Sequence, residues 1–218
     1  MEFTSIPTGQ TTAATDLLLT ALAFLVAILL QRYRAMDRSK VSIWTWALVL
    51  IAVASKLGAI THGLVMRAEL KEILWQPLEI SIGLSVALFG VGALYDLFGR
   101  KAARRSLVPL LGLGTVSYVV MTMMGEDFVV FIVYEAAMIV GVAAIYVILA
   151  VKERRAGALV MTAAMAVNLV AAALQTSEVT FRFVWRFDHN GVFHLVQCVG
   201  LVVLAIGLQR SLLARTGG

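Results

Sequence analysis

Charged residues are scarce in this chain. Asp, Glu, Lys and Arg make up 14% of its 218 residues, against about 25% in soluble globular domains. Hydrophobic residues make up 61%, so the chain has too little polar surface to cover a fold exposed to water. The formal net charge is +5. In a membrane protein such a basic excess is typical of cytoplasmic loops, so it does not favour a nucleic-acid partner.

Cysteine is nearly absent, because Cys198 is the only one. An intrachain disulfide is therefore excluded, and cysteine usage does not indicate the redox compartment. Basic residues are missing from the N-terminal stretch, where Arg32 is the first, while Glu2 and Asp16 are acidic. A secretory signal peptide has a positively charged N-terminal region, so we expect none here.

Long apolar runs, in contrast, fill most of the chain. A transmembrane helix needs about 17–25 predominantly apolar residues, and runs of this length are too long for the strands of a membrane barrel. The runs lie at residues 15–31, 41–66, 73–98, 107–124, 128–151, 158–176 and 191–209. The sequence therefore predicts an all-α integral membrane protein. Its seven helices form a single domain over residues 15–209, with short tails at 1–14 and 210–218.

Lys and Arg are distributed unequally between the two sets of connections. One set contains Arg32, Arg34, Arg38, Lys40, Arg100, Lys101, Arg104, Arg105, Lys152, Arg154, Arg155, Arg210 and Arg215. The other contains Arg67, Lys71, Arg182 and Arg186, with the acidic residues Glu69, Glu72, Glu126, Asp127, Glu178 and Asp188. Cytoplasmic loops carry the excess of basic residues. The N-terminus is thus predicted outside and the C-terminus in the cytoplasm, in a plasma or inner membrane.

Polar residues within the predicted helices fall mainly in the half of the membrane that faces outside. They are His62, Glu79, Glu135, Asn168, Gln175, His194 and Gln197. Ionisable residues are costly in a bilayer and commonly functional, so we predict an outward-facing polar cavity that carries His62, Glu79 and His194. The alternative is that each polar group makes one interhelical hydrogen bond. The inner half should hold little more than Asp96, paired with Arg100 four residues later.

One basic residue, Lys56, lies in the middle of the second predicted helix. An unpaired ammonium group in an apolar interior is costly, so we expect Lys56 to pair with Glu79 or Glu135. A proton-relay role and a role as a base are the alternatives. Ser55 shares a helix face with His62, because seven residues make about two turns.

The histidines suggest a metal centre, since a catalytic zinc site needs about three protein ligands and an open position. His62 and His194 are the first two candidate ligands, and His189, Asn190 or Glu79 is the third. His189 and His194 are about 140° apart on a regular helix, so both reach one ion only if His189 precedes the helix. Asn190 is a good N-cap residue, which allows this arrangement and also gives Asn190 a capping role.

The longest outer connection, residues 177–190, alternates aromatic residues with others. A period of two places Phe181, Phe183, Trp185 and Phe187 on one face of an extended segment. Such a face either rests on the lipid headgroups or forms a lid over the outer opening of the bundle. The two roles are compatible.

The layout resembles the superfamily that joins the alkaline ceramidases with the progestin and adipoQ receptors. In that superfamily a His on helix 2 and an HxxxH pair on helix 7 bind zinc, a Ser precedes the first His, and an Asp lies on helix 3. His62 and His194 match the first and last His, and Glu79 resembles the helix 3 acid. The predicted outside N-terminus resembles the ceramidase branch. Asn190 and Gly58 depart from the pattern, because they stand where the other His and the Ser are expected.

The resemblance implies a membrane-embedded zinc hydrolase of a lipid amide or ester, with membrane lipids as partners. Zinc would polarise the carbonyl group and activate water, with Glu79 as general base or orienting residue and Ser55 as oxyanion donor. Three alternatives stay open: a non-enzymatic binder of a lipid or small ligand, a subunit of a membrane complex, and a proton-coupled carrier using Lys56, Glu79 and Glu135. The internal repeats of many carriers are not evident. The seventh helix contains no Lys, so no retinal Schiff base is expected.

Overall fold

Seven long helices make up most of the chain that the computed structural model describes, residues 2–124 and 128–214. They are α1 (Pro7–Leu30), α2 (Arg38–Gly63), α3 (Ala68–Phe98), α4 (Arg100–Met123), α5 (Phe128–Val151), α6 (Ala158–Gln175) and α7 (His189–Leu213). Each is long and apolar enough to cross a membrane, so the predicted architecture of seven apolar helices is confirmed. Glu126, Asp127 and Arg215, named above among the loop charges, lie outside the described residues.

Several helix ends differ from the predicted runs, because polar residues extend the helices. Helix α1 begins at Pro7, inside the predicted tail 1–14, since the fixed φ of proline suits the first helical position. Helix α7 continues to Leu213. Helix α4 begins at Arg100, one residue after α3 ends. The connecting residue, Gly99, has a φ of +81°, which a residue without a Cβ atom adopts readily.

Four short strands meet at one end of the bundle. They are β1 (Glu2–Phe3) paired with β2 (Leu64–Val65), and β3 (Phe181–Arg182) paired with β4 (Arg186–Phe187), both antiparallel. The connection 177–190 is therefore a hairpin rather than one extended segment. Phe181 and Phe187 face each other across it, with ring centroids 5.0 Å apart, while Phe183 and Trp185 near its turn are exposed. We call this end, which the sequence predicts outside, the hairpin end.

Helices that follow each other in the chain pack side by side, and α1 also contacts α7. Helix α1 therefore lies between α2 and α7. The core of the bundle includes the buried side chains of Trp44, Tyr146 and Leu204. This arrangement brings the first turns of α1 and α7 next to the last turns of α2 at the hairpin end.

A polar cluster at the opposite end corrects the expectation that this half holds little. Lys40 of α2 has no exposed surface, and its Nζ donates to both carboxylate oxygens of Asp96 of α3 at 2.7 Å and to Ser211 Oγ of α7 at 2.5 Å. Tyr146 of α5 donates to the same carboxylate at 3.0 Å. Asp96 is thus paired with Lys40 rather than with Arg100, because Lys40 faces the interior. We call Lys40, Asp96, Tyr146 and Ser211 the lysine cluster.

Candidate functional site

Polar side chains from five helices line one small cavity at the hairpin end, with a volume of about 110 Å³. The polar lining consists of Asp16, Ser55, His62, Glu135, Gln175, Asn190, His194 and Gln197. All but Asp16 are among the site residues that the sequence predicts. We call this cavity the histidine pocket.

His194 is contacted on two sides by consecutive residues of α1. Its Nδ1 lies 3.2 Å from Thr15 Oγ1, and its Nε2 lies 3.3 Å from Asp16 Oδ1. The Thr15 hydroxyl donates its only proton to the Thr12 carbonyl oxygen at 2.9 Å, so Nδ1 is the donor towards Oγ1. A proton placed between Nε2 and the Asp16 carboxyl group would be held either as imidazolium and carboxylate or as imidazole and carboxylic acid. The pair can therefore release and take up a proton.

Asp16 is the candidate that sequence reasoning missed. Its side chain is buried, and Oδ2 has no hydrogen-bond partner among the described residues. The same oxygen faces Gly58 of α2, where a Cβ atom would lie only 2.7 Å away. An acidic residue inside the apolar run 15–31 was the available signal, since such residues are rare in membrane helices. The predicted helix start at residue 15 placed Asp16 at the membrane surface, whereas α1 begins two turns earlier.

Helix α2 presents both Ser55 and His62 to the pocket, as their seven-residue spacing predicts. Ser55 is buried. The His62 ring packs edge-on against Trp75 of α3, with centroids 5.6 Å apart and planes at 89°. Both side chains can donate a hydrogen bond to a small polar group in the cavity.

Four predicted site residues lie outside the histidine pocket, and Glu79 and Lys56 are the first two of them. Glu79 lines an adjoining cleft with Tyr118 of α4, which shares Trp75, Gln175 and Asn190 with the histidine pocket. Leu78, one residue earlier on α3, faces the histidine pocket itself. Lys56 is exposed on α2. Its predicted ion pair with Glu79 or Glu135 is therefore absent from the described part of the chain.

Asn168 is also outside the pocket and has a packing role. Its Nδ2 donates to the Ala164 carbonyl oxygen within α6 at 2.9 Å. The same nitrogen lies close to Gly200 of α7, where a Cβ atom would be 3.0 Å from it. Asn168 therefore fits the structural alternative, a polar residue at a helix–helix contact.

Helix α7 begins at His189 and is capped by Asp188 rather than by Asn190. The Oδ1 atom of Asp188 accepts a hydrogen bond from the backbone N–H of Gly191 at 3.0 Å. Asn190 consequently has no capping role and lines the histidine pocket. His189 is the first helical residue and is not part of that lining. It does not share a helix face with His194, because five residues turn a helix by about 140°.

A zinc centre needs converging ligands. Residues 2–124 and 128–214 contain no group of three His, Cys, Asp or Glu side chains that could hold a metal ion. Of the predicted ligands, His62 and His194 line the pocket and His189 does not. Both ring nitrogens of His194 already face groups on α1. The predicted ligand set does not come together in this arrangement, and zinc stays a prediction.

Comparison with known proteins gives one match. The model of a family of unknown function, DUF6962, matches residues 11–213. This range includes every residue of the histidine pocket and of the lysine cluster. No curated protein and no solved structure matches the chain.

Proposed function

We propose that this chain, which belongs to the DUF6962 family, is a multi-pass integral membrane protein with its N-terminus outside and its C-terminus in the cytoplasm. Seven apolar helices support insertion. The basic connections at the end opposite the hairpin support the orientation. In this orientation the histidine pocket lies in the outer half of the membrane, where membrane lipids surround the bundle.

The histidine pocket is the proposed site for hydrolysis of an amide or ester bond in a lipid-like molecule. The Asp16–His194 pair carries the proposal. Its carboxyl group contacts the imidazole of His194, and its buried Oδ2 atom, which faces Gly58, has no partner among the described residues. A buried acceptor without a partner costs about 1–3 kcal/mol. A bound water molecule or substrate group would offset that cost.

In the proposed reaction Asp16 is the general base. Its Oδ2 atom accepts a proton from a water molecule, and the water oxygen attacks the carbonyl carbon of the substrate. Ser55 and His62 on the neighbouring helix donate hydrogen bonds to the oxyanion that forms. Collapse of the tetrahedral intermediate breaks the bond to the leaving amine or alcohol, which takes the proton from Asp16.

The resemblance to the ceramidase and adipoQ receptor superfamily supports this location. Two residues that match its zinc-binding positions, His62 and His194, line the same pocket. Asp16 of α1 supplies the acid that Glu79 of α3 was predicted to supply. Of the predicted third ligands, His189 and Glu79 lie outside the pocket lining, and although Asp16 and Asn190 line it, the described residues contain no group of three His, Cys, Asp or Glu side chains that could hold a metal ion. The steps above therefore use protein groups alone.

Turnover of lipid amides and esters by the purified protein tests the proposal. Asp16→Asn keeps the size of the side chain and removes the base, so fatty acid release, measured by mass spectrometry, should fall by about 100-fold or more. Glu79→Gln is the matched control and should retain the wild-type rate, because Glu79 is not among the residues that line the histidine pocket. Unchanged release by Asp16→Asn would overturn the role of Asp16. A wild-type protein that cleaves none of these lipids would overturn the hydrolase.

A non-enzymatic binder of a lipid or small ligand, or a subunit of a membrane complex, is the second candidate. The size of the pocket favours the subunit of a complex over both lipid turnover and lipid binding, because about 110 Å³ is below the ~300–1,000 Å³ of typical ligand sites. A lipid that copurifies with the protein separates the two candidates. If it stays chemically unchanged after long incubation, binding is the better description, whereas its cleavage supports hydrolysis.

A further inference from the structure

A second and larger cavity, with a volume of about 930 Å³, lies at the hairpin end. We call it the aromatic groove. Its α1 wall is a stripe of Pro7, Gln10, Thr11, Ala14, Thr15 and Leu18, spaced as one face of a helix. The hairpin forms the other wall, with Phe181, Trp185 and Phe187. The volume lies in the ~300–1,000 Å³ range of small-molecule sites.

The hairpin is hydrogen-bonded to helix α1. Thr11 Oγ1 donates a hydrogen bond to the carbonyl oxygen of Arg186 at 2.7 Å. From Pro7 to Leu18 the α1 wall extends about 16 Å along the helix axis, at 1.5 Å per residue. The Thr11 contact places the hairpin beside the middle of this wall, and Ala14, Thr15 and Leu18 continue the groove from there into the apolar run 15–31. An extended hydrocarbon chain could follow this part of the groove.

Two arginines give the groove a positive end. Arg182 and Arg186 both line it, and they are directly opposite each other in the β3–β4 pair. Like charges in this position destabilise a strand pair. Neither arginine takes part in an ion pair within the described residues. An anion between them would remove the repulsion, and guanidinium groups bind phosphate oxygens through two parallel hydrogen bonds.

We propose that the aromatic groove binds one phospholipid of the surrounding leaflet, with its phosphate at Arg182 and Arg186 and an acyl chain along the α1 stripe. The proposal rests on the membrane insertion proposed above and not on hydrolysis. A free phosphate ion would satisfy the arginines but would leave the apolar length of the groove empty. Thr15 lines the groove and also contacts His194, so the lipid lies one side chain away from the histidine pocket.

Trp185 provides the signal for a test, because it lines the groove and is exposed. Phosphatidylglycerol with brominated acyl chains is titrated into the purified full-length protein in detergent, and tryptophan fluorescence is recorded. The difference in quenching between the wild type and Trp185→Phe reports binding in the groove. It should saturate, and brominated diacylglycerol, which lacks the phosphate, should bind more weakly by on the order of tenfold, the loss expected for charge-assisted hydrogen bonds.

Paired variants separate the groove from general partitioning into the micelle. Arg182→Gln with Arg186→Gln should weaken the phospholipid by about tenfold, whereas Arg67→Gln, an exposed arginine outside the groove, should not. Ala14→Trp fills the α1 wall and should abolish saturable quenching. Ala21→Trp, on an exposed position of α1 outside the groove, should bind as the wild type does.

Three results would overturn the proposal. The first is that the phospholipid and the diacylglycerol bind with equal affinity. The second is that saturable quenching persists in the Ala14→Trp variant. The third is that inorganic phosphate at an equal concentration displaces the phospholipid. The last result would leave a phosphate site without a lipid. The measurement involves no turnover, so failure of the proposed hydrolase leaves it interpretable.

Discussion

The two ends of the bundle each bury an acidic residue against a basic one, but only one of these pairs is complete. At the lysine cluster both carboxylate oxygens of Asp96 accept hydrogen bonds, from Lys40 and from Tyr146. At the histidine pocket Asp16 lies 3.3 Å from His194, longer than a charge-assisted hydrogen bond of about 2.7–2.9 Å, and Oδ2 has no partner. A complete buried network rigidifies a fold, whereas an incomplete one leaves atoms available for a ligand.

The residues around the Lys40–Asp96 pair supply further hydrogen bonds, whereas those around the Asp16–His194 pair leave Oδ2 of Asp16 without one. Asp37 accepts hydrogen bonds from the Tyr95 hydroxyl at 2.8 and 2.9 Å and from the Lys40 backbone N–H at 3.0 Å. It thereby caps α2 next to the lysine cluster. At the other end Gly58 supplies no side chain to Asp16. We therefore infer that the lysine cluster stabilises the fold and that the histidine pocket is the functional site. Variants at the two ends of the bundle should differ accordingly.

Removal of the lysine should have the largest effect on stability. Lys40→Met leaves the buried Asp96 carboxylate without its cation, and breaking a buried pair in this way costs about 3–5 kcal/mol. The free energy of unfolding, measured by SDS titration in mixed micelles, should fall by this amount. Lys56→Met is the matched control and should change it little, because Lys56 is exposed and has no ion pair among the described residues. Similar losses from both variants would refute the structural role of the cluster.

A methyl group at the closest approach of α1 and α2 should have an intermediate effect. In Gly58→Ala the new Cβ atom would lie 2.7 Å from Asp16 Oδ2, so the carboxyl group must shift at a cost of about 1–3 kcal/mol. Gly112→Ala, where the Cβ atom meets nothing within 4 Å, should be neutral or stabilising by up to about 1 kcal/mol. SDS unfolding checks both, and a Gly58→Ala protein as stable as Gly112→Ala would argue against this packing.

Asp16→Asn should have a smaller effect on stability, although the same variant should lower lipid turnover by about 100-fold or more. Oδ2 has no partner to lose among the described residues, and the amide of Asn can still face His194 Nε2 in place of Oδ1, so we expect the free energy of unfolding to change by no more than about 1 kcal/mol. Thermal unfolding and SDS titration of the variant beside Lys40→Met measure the contrast. A loss as large as that of Lys40→Met would mean that Asp16 is structural, and the two ends of the bundle would then not differ in role.

The helices were predictable because a long apolar run inside a bilayer forms an α-helix, in which all backbone N–H and C=O groups are hydrogen-bonded within the segment. Helix ends were less predictable, since the polar turns after Pro7 and before Leu213 are helical for reasons that hydropathy does not report. The hairpin at 181–187 was missed because period two describes one strand and two paired strands equally well. The hairpin also contacts Thr11 of α1, and a contact between residues so far apart in the sequence cannot be read from a local pattern.

Two lysines show why the site was only partly predictable. Lys40 belongs to a basic connection and is fully buried, whereas Lys56 lies in mid-helix and is exposed. Depth along a helix can be read from the sequence, but the side of the helix that faces the core depends on packing with neighbours. For the same reason, the side of α3 that faces the histidine pocket carries Leu78 and not Glu79. Ser55 and His62 were grouped correctly because they lie on one helix, where spacing determines the face.

The smallest effect should come from zinc. A ligand that binds only the folded state stabilises it, by about 2.7 kcal/mol at 100 times its Kd. The described residues bring no three ligands together, so we expect added zinc to leave the unfolding midpoint unchanged and elemental analysis to find no stoichiometric zinc in the purified protein. One zinc per chain that is lost in His194→Ala and kept in His189→Ala would refute this expectation. It would show that the pocket closes around a metal, and that the unpartnered Oδ2 of Asp16 marks an incomplete coordination site instead of a base.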